Sequence, residues 1–182
     1  MLFNDLKSIL SSPIIPEIKS NTNYRLASVL VVIYGNSPKI IMTEKPKSMK
    51  LHAGEISFPG GKLDVNDSNL LETALRETRE EIGLVISKDQ VIGQLDPVVT
   101  LNSGFLILPF LTMLNELPSL VPNSEVEKIL HIPLNLLLET IKKDSDPKHN
   151  PTDEMCTFEY GGQIVWGASA QILKQVKNTL KS

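Results

Sequence analysis

A chain of 182 residues, 41% of them hydrophobic and 21% charged, has the size and balance of one domain with a substantial core. Its formal net charge of -3 offers no basic field to a nucleic-acid backbone, and no run reaches the roughly 18 apolar residues that would span a bilayer. The single cysteine, Cys156, excludes an intramolecular disulfide and suits a reducing compartment, where it is expected to be a small packing residue.

In chain order, Leu2, Phe3, Leu6, Ile9 and Leu10 recur at helical spacing and predict a short amphipathic helix over the first ten residues. Pro13 and Pro16 end it, and a polar linker from Lys19 to Asn23 follows. The apolar, β-branched run Leu26 to Tyr34 reads as a central strand. Gly35-Asn36-Ser37-Pro38 turns the chain, and Lys39 to Thr43 returns as the second strand of a hairpin. Glu44 to His52 is basic, with Lys45, Lys47, Lys50 and His52.

From Gly54 the chain is expected to make a short apolar strand, turn on Pro59-Gly60-Gly61, cross an acidic loop and enter a helix. Asn69 with Glu72 fits a capping pattern, with Asp67 or Ser68 as alternatives, and Gly83 supplies a left-handed stop. On this helix Glu77, Glu80 and Glu81 share one face, while Leu71, Ala74, Leu75, Thr78 and Ile82 form a separate stripe. Three crowded carboxylates repel one another unless a cation sits among them, and hard divalent ions such as Mg²⁺ or Mn²⁺ take oxygen ligands. A solvated acidic face is the alternative.

Val91 to Pro97 and Phe105 to Leu114 read as strands joined by a loop from Val98 to Gly104, with a turn-rich loop at Ser119 to Asn123. Leu134 to Ile141 reads as a short helix, and Lys142 to Asp153 as a polar, mobile loop. Thr157 to Tyr160 and Gln163 to Trp166 flank a Gly161-Gly162 turn, and a last helix is expected to run to about Leu180. Strands with helices before, between and after them predict an α/β/α sandwich on a mixed β-sheet. No repeat or boundary divides the chain, so 1–182 is expected to be one domain, with 1–22 as helix and linker and 25–180 as core. An early acidic residue at the N-terminus and a final tripeptide unlike the peroxisomal one complete the expectation of a cytoplasmic protein.

Gly61 to Leu84 resembles the signature of the Nudix hydrolases, G-x5-E-x7-R-E-U-x-E-E-x-G-U, with U a bulky apolar residue. Arg76-Glu77, Glu80-Glu81, Gly83 and Leu84 match; Thr78 stands at the first U. The stretch before Arg76 is one residue longer than the signature and lacks its first Glu, with Asp67 and Ser68 in that neighbourhood. This longer loop, Gly60-Gly61-Lys62-Leu63-Asp64-Val65-Asn66-Asp67, is similar to the G-G-x-x-D-x-x-D of the coenzyme A diphosphatase subgroup. Upstream, Ile41 to Gly61 keeps the spacing of that subgroup's L-L-T-x-R-[SA]-x3-R-x3-G-x3-F-P-G-G, with Lys45 and Lys50 in place of both arginines. Lysine keeps the charge and loses the planar fork that grips phosphate through two donors. Leu95-Asp96-Pro97, Ser103-Gly104-Phe105, Glu125-Val126, Pro133-Leu134 and Trp166-Gly167-Ala168-Ser169-Ala170 also resemble the subgroup, and the likeness runs from Arg25 to Leu180.

The resemblance implies a Nudix-type α/β/α fold and hydrolysis of the diphosphate of coenzyme A or its derivatives, giving 4'-phosphopantetheine and adenosine 3',5'-bisphosphate. It implies Mg²⁺ or Mn²⁺ held by Glu77, Glu80, Glu81 and the carbonyl of Gly61, with Arg76 orienting the catalytic Glu. Glu77 or Glu125 would be the base, with Glu127 as the fallback to Glu125. Lys45, Lys50, His52 and Lys62 would attend the substrate. Cleavage of another nucleoside diphosphate derivative (NADH, ADP-ribose, a dinucleotide) and a non-catalytic nucleotide-binding module are the alternatives. The expected partner is a small nucleotide, with neither nucleic acid nor membrane, and a homodimer is left open.

Overall fold

A computed structural model describes residues 3–18, 23–48, 53–100, 103–149, 152 and 154–181. In chain order the first elements are α1 (Phe3–Leu10), β1 (Arg25–Tyr34), β2 (Lys39–Glu44), β3 (Ile56–Ser57), β4 (Gly60–Lys62) and α2 (Leu70–Ile82). There follow β5 (Val91–Gln94), β6 (Val98–Val99), β7 (Phe105–Leu114), β8 (Lys128–Pro133) and α3 (Leu134–Glu139). The chain closes with β9 (Lys142–Lys143), β10 (Cys156–Tyr160), β11 (Gln163–Val165) and α4 (Gly167–Thr179).

The apolar run at Leu26 to Tyr34 becomes the spine of an eight-stranded mixed sheet. β1 lies parallel to β7 along its whole length, Arg25 opposite Phe105 and Tyr34 opposite Leu114, while the other pairings are antiparallel. Both faces of β1 are covered, which is why it lacks the polar alternation of a half-exposed strand. Val31 and Ile33 face a core built with α1, α3, α4 and β10. Leu30 and Val32 face a second core built with α2. The expected α/β/α sandwich on a mixed sheet is therefore the architecture found. Among the described residues no helix is long and apolar enough to cross a membrane.

One irregularity of the sheet positions the site. β1 and β2 pair only next to their turn, at Ile33–Ile40 and Tyr34–Lys39. Beyond that the strands splay. β2 pairs with β3 and β8, and β4 takes its place beside β1, with Gly60 opposite Val29 and Lys62 opposite Ala27. The expected turn at Pro59-Gly60-Gly61 is thus corrected: Gly60 and Gly61 are strand residues. Gly60 has φ 156° and a Cβ there would collide with the backbone of Ser28 and Val29, so only glycine lets β4 close on β1.

Other expectations need smaller corrections. Val98–Val99, read as loop, pairs with β7, and Lys142–Lys143, also read as loop, pairs with β10. Helix α3 ends at Glu139 rather than Ile141. Two-residue strands carry no periodicity and are made by their partners alone.

Candidate active site

Helix α2 starts and stops as its ends dictate. Asn69 accepts a hydrogen bond from the Glu72 N–H at 3.1 Å, and Gly83, at φ 72°, donates to the Arg79 carbonyl. The helix lies across β1 and β4 with Leu70, Leu71, Ala74 and Ile82 buried. Thr78 is fully buried too. Its hydroxyl donates to the Ala74 carbonyl at 2.7 Å, so the methyl packs and no polar atom is orphaned. Arg79 is exposed, and Leu75 is only half-buried.

The three glutamates do not share one environment. Glu81, read as sharing one face with Glu77 and Glu80, is only 5% exposed, which excludes the alternative of a solvated face for it, and it accepts from the Gly60 N–H at 3.1 Å. Its position three residues after Thr78 turns it toward β4 and the core. Burial pushes its carboxyl up to about 7, with the charges of Glu77 and Glu125 adding and the Gly60 N–H and Lys45 opposing. Glu77 is half-buried and lies against Gly61 so closely that a Cβ there would overlap its carboxylate. Burial raises its pKa, Arg76 opposes, and Glu80 and Glu125 add to the rise. Glu80 is exposed.

Arg76 ties this cluster together. Its Nε and Nη2 donate to the two Asp67 oxygens at 2.9 and 2.8 Å, and its Nη1 donates to Glu77 at 2.9 Å and Glu80 at 3.0 Å. Of its two helix neighbours one turn away, Arg76 takes Glu80; Glu72 instead pairs with Lys88 at 2.6 Å and accepts from the Ser68 N–H. The Arg76 fork holds the Asp67 carboxyl down at about 2, and Asp67 and Glu77 raise the guanidinium in turn. Asp67, in the stretch that lacks the signature's first glutamate, is therefore the carboxylate that clamps Arg76. Its position in the lengthened loop was the only sequence sign of this.

Glu125 is exposed, after β7, with its N–H bonded to Asn123 Oδ1 at 2.8 Å, and its charge acts on both Glu77 and Glu81. Glu127 instead lines a separate groove with Tyr34 and His131. Lys45 and Lys62, together with Ser57, Gly60 and Gly61, line a cavity of about 550 Å³ on the other side of β4 from the glutamates. Lys50 and His52 lie outside the described residues. The cavity continues to Phe105, His149 and Trp166. No sequence signal assigns these rings a role: the likeness around Phe105 and Trp166 marks two of them, and nothing marks His149.

Among the described residues no three His, Cys, Asp or Glu side chains converge into a ready-made metal cage. Arg76 draws Glu77 and Glu80 toward itself. The donor chemistry nevertheless fits a divalent ion: buried Glu81 and half-buried Glu77 both resist ionisation, face a third carboxylate charge from Glu125, and offer only hard oxygen.

The chain matches the NUDIX domain over residues 24–153. It belongs to the Nudix family. It is 32% identical to the uncharacterized Nudix hydrolase NudL of Photorhabdus laumondii over 170 residues, 92% of this chain and 90% of that protein. The Yersinia pestis protein of the same name is 31% identical over 86% of this chain and 80% of its own length. Two solved structures share the Nudix fold. A MutT/nudix family protein from Enterococcus faecalis superposes with a TM-score of 0.63 at 15% identity, over 91% of this chain and 66% of that one. The NUDIX domain of Shewanella oneidensis NrtR, complexed with ADP ribose, does so with a TM-score of 0.59 at 15% identity, over 90% and 93%. Nudix hydrolases cleave phosphoric anhydrides of nucleoside diphosphate derivatives, generally with Mg²⁺ or Mn²⁺, and this chain is such a hydrolase.

Proposed function

We propose that this Nudix hydrolase cleaves the diphosphate of coenzyme A or its derivatives, releasing 4'-phosphopantetheine and adenosine 3',5'-bisphosphate. The observation that carries the chemistry is the packing of two desolvated glutamates, 77 and 81, against the Gly60-Gly61 backbone at the edge of a lysine-lined cavity. The lengthened Gly60 to Asp67 loop supports the substrate, because its Asp67 clamps Arg76 and so belongs to the site.

Glu77, Glu80, Glu81 and the Gly61 carbonyl would hold Mg²⁺ or Mn²⁺. Such ions, when bound, neutralise diphosphate oxygens and make water easier to deprotonate. The protein's own groups supply the rest. Arg76, fixed by Asp67, orients Glu77 and Glu80. A base must want a proton, and burial gives Glu77 that property; Glu125, on its exposed loop, is the other candidate. Lys45 and Lys62 would attract the phosphates from the cavity side, and Lys50 and His52 are assigned with them. Cys156 is buried with its thiol pKa raised by desolvation, so it takes no part.

A second reading, hydrolysis of an ADP-ribose-like compound, is supported by the NrtR domain's ligand and by the lysines at 45 and 50. Chromatography of products separates the two. The protein is incubated with Mg²⁺ or Mn²⁺ and coenzyme A, acetyl-coenzyme A, NADH, ADP-ribose or diadenosine polyphosphates. Preferred release of adenosine 3',5'-bisphosphate is the expected result. Faster cleavage of another compound replaces the substrate, and no cleavage with either metal leaves a binding module.

A further inference from the structure

The hydrolytic chemistry uses nothing from the C-terminal wall of the cavity, where three residues form a built arrangement. The rings of His149 and Trp166 lie 4.0 Å apart and within 3° of parallel, and both line the cavity. Behind them Asp144 is 3% exposed, and its two oxygens lie 2.9 and 3.1 Å from His149 Nδ1. Both Asp144 oxygens meet the same ring nitrogen, so the imidazole is held against rotation. Asp144 is itself fixed: its N–H donates to the Met155 carbonyl at 3.0 Å, and its Oδ1 accepts from the Asp146 N–H at 3.1 Å. Elsewhere in the same cavity, Phe105 carries the Arg25 guanidinium 4.2 Å from its centroid and Lys62 Nζ at 5.7 Å.

A flat, pre-formed stack that shares its cavity with the cations of Arg25 and Lys62 over Phe105 suits a flat π-system joined to an anion. We infer that the His149–Trp166 stack receives the base of the nucleotide, and that Asp144 is the positioning residue that keeps the platform planar. The inference rests on the reading of this cavity as the substrate site. It assigns polarity: the base lies toward α4, the diphosphate toward Lys45, Gly61 and Lys62, and the other half of the substrate leaves the cavity. A flexible, baseless arm would gain little from a stacked ring pair, whereas every purine or pyrimidine gains a stacking partner.

Trp166 is the chain's one tryptophan, so its emission reports on this wall alone. The full chain is titrated with AMP and adenosine 3',5'-bisphosphate, and separately with 4'-phosphopantetheine and ribose 5-phosphate. The base-bearing pair should change Trp166 emission and the baseless pair should not. His149→Ala should weaken the base-bearing ligands and raise KM by roughly tenfold with kcat little changed, the scale of one lost base stack. His149→Phe, which keeps a flat ring, should restore most of that affinity. Asp144→Asn should give an intermediate rise in KM. A response to the baseless halves instead, or a folded His149→Ala protein with unchanged KM, overturns the inference while hydrolysis stands. Absence of hydrolysis with an intact nucleotide response overturns the function and leaves this site in place.

Discussion

The two sides of β4 solve different problems with different materials. On the α2 side, charged groups are locked by one arginine, and glycine backbone lets a carboxylate approach where any Cβ would block it. On the cavity side, rings from β7, the segment before β10 and the entrance of α4 are brought together, and only their edges and tethers are polar. The difference teaches that the carboxylate cluster proposed for reactivity is local in sequence, while the ring wall proposed for recognition is assembled from distant segments. Substitutions on the α2 side should therefore act on kcat, and those on the cavity side on KM.

The largest effect is expected from Glu80→Gln. Glu80 is exposed, so the fold should keep its melting temperature while turnover falls by about a thousandfold or more; full activity in the Glu80→Gln variant would sink the metal-site reading. Gly61→Ala comes next. The added methyl displaces Glu77, and kcat should drop roughly a hundredfold with about 1–3 kcal/mol of stability lost. Asp67→Asn removes the charge that anchors Arg76 and should lower kcat by about 10–100-fold, with nucleotide binding at Trp166 unaffected.

Glu81 gives a pH test. Its carboxyl is raised from an ordinary 4.5 to about 7, so metal-free protein is most stable below 4.5 with respect to this group and loses stability as pH rises to 7. The loss amounts to about 3.5 kcal/mol at most, since each unit is worth about 1.4. Glu81→Gln should flatten that slope in denaturant melts, and Mg²⁺ should stabilise wild-type more at pH 8 than at pH 5. The smallest effect belongs to Lys45→Arg, which restores a two-donor fork and should lower KM by only about two- to fivefold.

How much of this could be read beforehand follows the same division. The long strands were legible because β1 and β7 are buried on both faces, and α2 was legible because Asn69 and Gly83 cap it within one continuous motif. Glu77, Glu80, Glu81 and Arg76 were found together for the same reason. What periodicity alone could not show was depth: Glu81 reads as one more acidic residue until β4 is laid over it. Gly60 and Gly61 read as a turn because the reason for them, contact with Ser28, Val29 and Glu77, comes from other elements. Asp144 and His149 carry no local pattern at all, since their association with Trp166 exists only after the last strands and α4 have packed.

The full-length pairing of β1 with β7 has a consequence for the protein's birth. Strand β1 is complete at Tyr34, yet its parallel partner ends at Leu114, so on a ribosome an apolar, unpaired strand edge waits while the intervening chain is made. Closing so long a loop before the β1–β7 pairing can form is slow. Refolding should accordingly lag behind that of a helical protein of this size, and nascent or overexpressed chains should lean on holdase chaperones at the stage when β1 has emerged and β7 has not.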